Sequence, residues 1–251
     1  MVNVKLDFLE INSESSSTTL IENLEFQLTH NNIYTILGKN GTGKTTVILA
    51  ITNLLDQHKF SYKGIVKFFG KDIFHLPQSE LVKFRAENIR YVFQDPIGCL
   101  DPLKNIGYFF ERFQFPEVEI NEQFNYFQLP SYNKIKKLHP YELSVGMAQR
   151  VNIILSLLAK PKLLILDEPT SALDLPIANL LLERLKQFTA QDNNMVLIVT
   201  QDIVFAKKAS DYIAVLDNKT LSTFQRTDEL IDGNADSALT DFINTYNEIM
   251  N

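Results

Sequence analysis

The chain has little cysteine and no long apolar run. Its 251 residues include one cysteine, Cys99, so neither a disulfide framework nor a cysteine-built metal site can form within it. This shortage fits a reducing, cytosolic setting. The longest apolar run, residues 151–159, is interrupted by Asn152 and Ser156. It falls well short of the roughly 20 residues that a helix needs to cross a bilayer.

The charge balance and the first residues also count against some classes of protein. The chain carries 24 basic and 30 acidic residues, a net charge of −6, without the basic surplus typical of nucleic-acid-binding domains. We therefore expect no nucleic-acid partner. The first ten residues include Lys5 and Asp7 and lack the apolar core of a signal peptide. Any role at a membrane would then be that of a peripheral protein bound to other chains.

Short apolar runs alternate with helical patterns, which predicts an α/β fold with a parallel sheet and helices on both faces. The expected strands span residues 2–9, 20–28, 33–37, 89–93, 163–166, 195–200 and 212–216. The expected helices span residues 44–55, 144–159, 174–190 and 203–209. A serine and threonine cluster, residues 13–19, predicts a turn between the first two strands.

Residues 95–161 interrupt this alternation, because they are helical in pattern and contain no convincing strand. We interpret them as a helical subdomain inserted into a core of residues 1–94 and 162–251, so that residues 1–251 form one domain. Aromatic residues in this region favour a small core of their own over a ligand-binding box. They are Tyr108, Phe109, Phe110, Phe113, Phe124, Tyr126 and Phe127.

A glycine-rich segment matches the phosphate-loop pattern of glycine, four residues, glycine, lysine and serine or threonine. Its glycines allow backbone N–H groups to converge on phosphate oxygens, and the following helix adds a partial positive charge. Lys44 would reach the β- and γ-phosphates, and Thr45 would ligate Mg²⁺. A chance glycine turn is the weaker alternative. The expected nucleotide-binding residues are Gly38, Lys39, Asn40, Gly41, Thr42, Gly43, Lys44, Thr45 and Thr46.

Two acids follow the apolar run of residues 163–166. In a parallel sheet the carboxyl ends of strands face the nucleotide crevice. Asp167 would hold Mg²⁺ and Glu168 would polarise the attacking water, two tasks that ATP hydrolysis requires. A polar helix cap is the alternative for this pair, and it is weaker beside a phosphate loop. To this point the sequence predicts a nucleotide hydrolase of unspecified kind.

Three further segments resemble motifs of the ABC ATPase family. Residues 143–147, followed by Gln149 and Arg150, resemble its signature motif. Residues 171–174 resemble its D-loop, and Gln94 resembles the Q-loop glutamine that joins core and helical subdomain. The resemblance implies a P-loop NTPase (RecA-like) core with an N-terminal antiparallel β subdomain and an inserted helical subdomain. It also implies that ATP and Mg²⁺ are bound at a dimer interface with residues of the signature and D-loop: Ser144, Val145, Gly146, Met147 and Asp174.

The family resemblance implies partners and a location. Residues 93–96, the Leu-Asp-Pro of residues 100–102 and Met147 are similar to the peptide and nickel importer branch. The expected partners are a second ABC ATPase subunit, transmembrane permease subunits and, indirectly, an extracytoplasmic solute-binding protein. The expected location is the cytoplasmic face of the cell membrane. The resemblance also places Gln94 in the catalytic group and among the metal ligands.

The sequence departs from the family at three points. Gln201 stands where the family has a histidine that contacts the γ-phosphate, and an amide cannot become cationic. Weakened hydrolysis and adequate service by glutamine are both open at this point. Val145 replaces the first signature glycine, which predicts a poorer site and a heterodimer with two unlike sites. Residues 13–19 lack the family's adenine-stacking aromatic, for which Phe8, Phe26 or a partner residue are the possible substitutes.

Two competing functions remain beside a competent transport ATPase. The chain could bind ATP and hydrolyse it only weakly, as a regulatory or structural half beside a competent partner. Gln201 and Val145 argue for this hypothesis, whereas Lys44, Asp167 and Glu168 argue against it. The other hypothesis is an ABC protein of DNA repair or translation. The acidic balance and the lack of a coiled-coil insertion argue against it.

Overall fold

The structure is a computed structural model that describes residues 1–13, 16–191, 193–231, 240 and 242. Its strands are β1 (Val2–Asn12), β2 (Ser17–Leu28), β3 (Asn32–Leu37), β4 (Phe60–Phe68), β5 (Lys71–Asp72), β6 (Ile89–Val92), β7 (Leu163–Asp167), β8 (Met195–Thr200), β9 (Tyr212–Asp217), β10 (Thr220–Leu221) and β11 (Gln225–Arg226). Its helices are α1 (Lys44–Ile51), α2 (Gln78–Asn88), α3 (Ile106–Arg112), α4 (Glu117–Tyr126), α5 (Tyr132–Ile135), α6 (Val145–Leu158), α7 (Leu175–Thr189), α8 (Ile203–Ala209) and α9 (Thr227–Ile231). Among the described residues, none of these helices combines the length and apolar character needed to cross a bilayer.

An antiparallel sheet is built mainly from the N-terminal part of the chain. Its strand order is β2-β1-β4-β5, and β1 pairs with both β2 and β4. The predicted turn over residues 13–19 is too long, because Ser17 pairs with Asn12 inside the sheet. The hydroxyls of Ser17 and Thr19 donate hydrogen bonds to the Glu10 carboxylate at 2.9 and 3.0 Å, which gives these polar residues a place in a strand.

The larger sheet has the order β10-β9-β3-β8-β7-β6, and β9, β3, β8, β7 and β6 run parallel. This arrangement confirms the predicted parallel sheet. Successive side chains of a strand point to opposite faces. Ile165 and Leu197 therefore pack in one core cluster with α1, whereas Leu164 and Ile198 pack in another with α6 and α7. The carboxyl ends of β3, β7 and β8 meet at one edge of the sheet.

Residues 93–162, all of them described, contain α3 to α6 and a 3-10 turn but no strand. The side chains of Phe110, Phe124 and Phe127 are fully buried and belong to the cluster under α6 and α7. Their edge-on contacts, such as the 5.6 Å between the ring centroids of Phe110 and Phe124, are those of packed aromatics. These three aromatics are therefore core residues, but their core is shared with the parallel sheet through Leu164 and Ile198, and Tyr108 and Phe113 are exposed. The prediction of a separate core made by all seven aromatics is thus wrong in part, and the boundaries of residues 95–161 as a subdomain stay a prediction.

Several predicted boundaries are wrong. The helix expected over residues 44–55 ends at Ile51, because the chain turns at Asn53, whose φ is 54°. Ser144 and Asp174 are N-caps that precede α6 and α7 and are not their first residues. The strands β4 and β5 and the helix α2 were not predicted at all.

Candidate functional site

The phosphate-loop segment connects β3 to α1 at the carboxyl edge of the parallel sheet. Gly43, the residue before α1, has a φ of 94°, a left-handed conformation that strains every side-chain-bearing residue. No side chain caps the beginning of α1. The first N–H groups of a helix have no intrahelical partner, so those of α1 are left for another acceptor. Together with the helix dipole they form a site suited to an anion.

The Lys44 side chain folds back over this loop. Its Nζ donates hydrogen bonds to the carbonyl oxygens of Gly38 at 2.8 Å and Lys39 at 3.0 Å, and it lies 3.5 Å from Oε1 of Glu168. Lys44 is 6% exposed and Glu168 is 7% exposed. A buried ammonium group with such neighbours lies where a phosphate bound to the loop would need a cation.

Asp167 ends β7 and lies beside the beginning of α1. Its Oδ2 accepts hydrogen bonds from the Thr45 hydroxyl at 2.7 Å and from the Tyr91 hydroxyl at 2.8 Å. Burial raises the pKa of Asp167, and these two hydrogen bonds oppose the rise. The pKa of Tyr91 is raised strongly, first by burial and then by the Asp167 charge, so its hydroxyl stays a donor at neutral pH.

These oxygen atoms fit a magnesium ion. Oδ1 of Asp167 is buried and has no hydrogen-bond partner. An unpaired buried carboxylate oxygen costs free energy unless a ligand or water satisfies it. Thr45 supplies a hydroxyl oxygen 2.7 Å from the other carboxylate oxygen, Oδ2, and hydroxyl and carboxylate oxygens are the hard ligands that Mg²⁺ prefers. Thr45 and Asp167 are thus the residues able to hold the ion directly or through water.

Glu168 adopts a strained backbone conformation, with a φ of 46°. Strain of this kind persists where the surrounding structure over-determines it. Its N–H donates to the Val199 carbonyl at 2.9 Å, and its Oε2 accepts from the Thr200 hydroxyl at 2.8 Å. The backbone N–H of Gln201 donates to Oε1 at 3.1 Å. The carboxylate is therefore held between β7 and β8, next to Lys44.

Gln94 follows β6 and lies at a groove with a volume of 810 Å³. Thr45 and Asp167 line the same groove, and so does Val145 at the beginning of α6. The structure thus places Gln94, itself one of the predicted metal ligands, at the same groove as the other two, Thr45 and Asp167. The Gln201 side chain is exposed at the end of β8, while its backbone contacts Glu168.

The signature segment begins α6 and packs on the residues that resemble the D-loop. Ser144 caps α6, because its hydroxyl accepts a hydrogen bond from the Met147 N–H at 3.2 Å. A Cβ built on Gly146 would lie 2.7 Å from the Ala172 carbonyl oxygen, so only glycine allows this approach. Asp174 caps α7 by accepting from the Ile177 N–H at 3.0 Å. The side chains of Ser144 and Asp174 are thus each hydrogen-bonded to a residue three positions later in the chain.

Of the two residues of this chain that were candidates for stacking on adenine, Phe26 is part of the core. It is 8% exposed, and its ring contacts that of Phe224 at 5.6 Å between centroids. Phe8 is half-buried on β1. An aliphatic residue of β2 lies beside Gly43, since Ile21 Cδ1 would be 3.8 Å from a Cβ built on that glycine.

The family model for ABC transporters matches residues 21–171. The chain belongs to the ABC transporter family. It is 31% identical to the oligopeptide transport ATP-binding protein OppD of Escherichia coli K12, over 86% of this chain and 66% of that protein. It is also 31% identical to OppD of Bacillus subtilis 168, over 78% of this chain and 58% of that one. The chain therefore spans less than two thirds of the length of these relatives.

Solved structures place the fold in the same family. The dimeric post-hydrolysis structure of the ATP-binding cassette MJ0796, bound to ADP and Pi, superposes with a TM-score of 0.78 at 23% identity. The match covers 90% of this chain and 99% of the cassette. A bacterial Atm1-family ABC exporter with ATP bound matches at a TM-score of 0.74 and 22% identity, over 93% and 40% of the two chains. The fold is the ABC ATPase cassette, as the motifs predicted.

Sequence reasoning missed two residues that contact the site. Tyr91 and Thr200 donate hydrogen bonds to the two acids, and neither belongs to a motif used for prediction. Thr200 lies directly before Gln201, so its position at the end of an apolar strand was the available signal. No local pattern marks Tyr91, because its contact with Asp167 depends on how β6 pairs with β7.

Proposed function

We propose that this chain binds ATP with Mg²⁺ and hydrolyses it as the nucleotide-binding subunit of an ABC importer. The observation that carries the proposal is the meeting of Lys44, Thr45, Asp167 and Glu168 at one edge of the sheet. These residues come from two segments more than a hundred positions apart. They place a cation, a hydroxyl and two carboxylates beside an anion-binding helix N-terminus, which is the set of groups that phosphoryl transfer requires.

The acids have separate roles in this proposal. Thr45 and Asp167 would hold Mg²⁺, which would neutralise charge on the phosphates. Glu168 orients the attacking water, because its carboxylate is fixed by Thr200 and by the Gln201 N–H. Lys44 leaves the loop carbonyls and turns to the β- and γ-phosphates. Gln94 lines the groove beside Thr45 and Asp167, and from there it transmits changes at the metal site to the helical region.

A second ATPase subunit completes the site. Ser144, Gly146 and Met147, with Asp174 of the D-loop, would close on the nucleotide of a partner subunit. Val145 is 52% exposed at the first position of α6, so it would be presented to that nucleotide. A β-branched side chain keeps backbone farther from phosphate than glycine does. We therefore propose a heterodimer in which the site completed by this signature is the weaker one.

The chain would serve permease subunits at the cytoplasmic face of the membrane and, through them, a solute-binding protein. Its relatives OppD and the dipeptide transport ATP-binding protein DppD of E. coli support peptides as the cargo, with nickel or metal chelates as the alternative. The region from Gln94 to Phe113 is the proposed permease contact. Leu103 and Phe113, which are 83% and 46% exposed, supply apolar surface there.

Weak hydrolysis is the alternative, with the chain as a regulatory or structural half of a heterodimer. It is favoured by one observation, the exposed amide of Gln201 where a cationic side chain would meet the γ-phosphate. Placing Glu168→Gln in this chain alone and measuring the ATPase activity of the complex separates the alternatives. An unchanged rate would mean that the partner performs the hydrolysis.

Lys44→Ala tests the proposal directly. ATP affinity of the full chain in Mg²⁺ is measured by calorimetry, and transport is measured with the partner subunits that co-purify with it. We expect Lys44→Ala to weaken ATP binding by about tenfold or more, because a charge-assisted contact contributes about 1.5–3 kcal/mol. Lys83→Ala on the exposed face of α2 is the matched control. Equal ATP affinity and equal transport in the two variants would refute the proposal.

A further inference from the structure

Tyr91 lies next to the site without belonging to any motif. It stands on β6, and its register partner on β7 is Ile165. Because alternate residues of a strand share a face, Tyr91 projects on the side of the sheet where Asp167 meets α1. Its hydroxyl donates to Oδ2 of Asp167 at 2.8 Å, beside the Thr45 hydroxyl at 2.7 Å.

The hydroxyls of Tyr91 and Thr45 make the two oxygens of the Asp167 carboxylate unequal. Both donate to Oδ2 of Asp167, whereas Oδ1 is buried without a partner. A carboxylate held at one oxygen by two donors from different elements cannot rotate freely. Oδ1 then points in a fixed direction. Residues that hydrogen-bond to a metal ligand commonly orient that ligand in this way.

The Tyr91 ring is itself fixed. It packs on the core cluster that contains Ile89 and Ile165, and its centroid lies 4.1 Å from that of Phe93. Phe93 lines the groove that also holds Gln94. The hydroxyl therefore sits on a side chain with little rotational freedom, and it contributes orientation at a small cost in entropy.

We infer that Tyr91 is a positioning residue for the magnesium site, whose hydroxyl orients Asp167 so that Oδ1 faces the ion. This inference rests on the proposed function. Tyr91→Phe removes the hydroxyl and keeps the ring. Loss of a partner behind a metal ligand lowers metal affinity by about 10- to 100-fold. Binding of ATP without the metal involves the loop and Lys44 and is expected to be unaffected.

The test is calorimetric ATP binding by the full chain, once with MgCl₂ and once with EDTA. For Tyr91→Phe we expect affinity in Mg²⁺ to fall by about tenfold and affinity in EDTA to stay within about twofold of wild type. Raising the Mg²⁺ concentration should restore binding. Tyr34→Phe is the control, since it removes a buried tyrosine hydroxyl that bonds Thr29, away from the site. Melting curves in EDTA establish that both variants are folded.

Three results would overturn the inference. One is unchanged affinity of Tyr91→Phe in Mg²⁺ while wild type binds MgATP. Another is an equal loss in Mg²⁺ and in EDTA, which would indicate a general structural role. If wild type binds no ATP under either condition, the proposed function fails together with this inference.

Discussion

Lys44 and Glu168 form an ion pair of 3.5 Å between two almost fully buried side chains. Glu168, which we propose orients the attacking water, therefore also balances the charge of Lys44 when no nucleotide is bound. Lys44 is the residue that we propose binds the phosphates. A buried charge that loses its partner destabilises the folded state. When nucleotide binds, its phosphates supply negative charge to Lys44. Glu168 is then no longer the group that balances the lysine charge.

Glu168→Gln should separate binding from hydrolysis. We expect turnover by the assembled complex to fall by about 10²–10⁴-fold, because the general base is lost. The melting temperature without nucleotide should also fall, since Lys44 loses its ion pair. Saturating ATP should close this gap, because phosphate charge replaces the carboxylate.

The comparison uses ATPase assays and melting curves with and without MgATP, and Glu80→Gln on the exposed part of α2 is the control. A complex of this variant that hydrolyses ATP at the wild-type rate would show that Glu168 of this chain does not contribute to turnover, the result expected if the partner performs the hydrolysis.

Gln201→His should raise turnover of the assembled complex. Gln201 follows β8, and its N–H already contacts Glu168, so a side chain at this position begins next to the proposed base. Histidine can donate as a cation, and glutamine cannot. We expect a gain of about tenfold or more, the scale of an acid–base or charge-stabilising group. Gln78→His at the beginning of α2 is the control, and unchanged turnover in Gln201→His would show that glutamine suffices.

The meeting of Lys44, Thr45, Asp167 and Glu168 could be predicted because these residues belong to short contiguous segments. The loop that contains Lys44 follows an apolar run and begins a helix, and Asp167 ends another apolar run. Both features fix which residues can meet once the strands are parallel and neighbouring. For this reason the order of motifs predicted the cassette fold and the edge of the sheet where they converge.

The elements that were missed depend on partners distant in sequence. β4 contains Gly64 and alternates poorly, and it forms because β1 pairs along most of its length. α2 has only two buried residues, Leu81 and Phe84, so its periodicity is weak. The Tyr91 contact follows from strand register, which no local pattern specifies.

Val145→Gly should strengthen ATP-dependent dimerisation. The valine is 52% exposed beside Gly146, which packs so closely on the Ala172 carbonyl oxygen that a Cβ would not fit there. Removing the branched side chain would let the signature backbone approach the partner's phosphate. We expect dimerisation affinity to rise by about tenfold, equivalent to about 1.4 kcal/mol.

Sedimentation with ATP and the partner subunit measures this change. Val118→Gly is the matched control, because Val118 is also an exposed valine, 69% exposed, in the first turn of a helix. Equal dimerisation by Val145→Gly and wild type would remove the basis for two unlike sites.

Cys99 should be a slow nucleophile, although the residue is exposed. Burial of its thiol and the nearby Asp95 charge raise the pKa of Cys99 to about 11. At pH 8 the thiolate population is then on the order of 100-fold below that of an ordinary thiol, and the greater nucleophilicity of a basic thiolate offsets part of this. We expect alkylation by iodoacetamide to be about tenfold slower than in the chain unfolded in guanidinium, with a rate that rises up to about pH 11.

The electrostatic part of this effect can be isolated at Asp95. Asp95→Asn keeps an oxygen for the N–H groups of Ile97 and Gly98 and removes the negative charge. The pKa of Cys99 should therefore fall, and alkylation at pH 8 should become faster. Burial is the larger cause of the raised pKa, so the rate should stay below that of the unfolded chain. Because Cys99 is the only cysteine of the chain, mass spectrometry follows a single site. If the native and unfolded chains reacted at the same rate, this would contradict the position of the Cys99 thiol between the Pro96 carbonyl and Asn152 of α6.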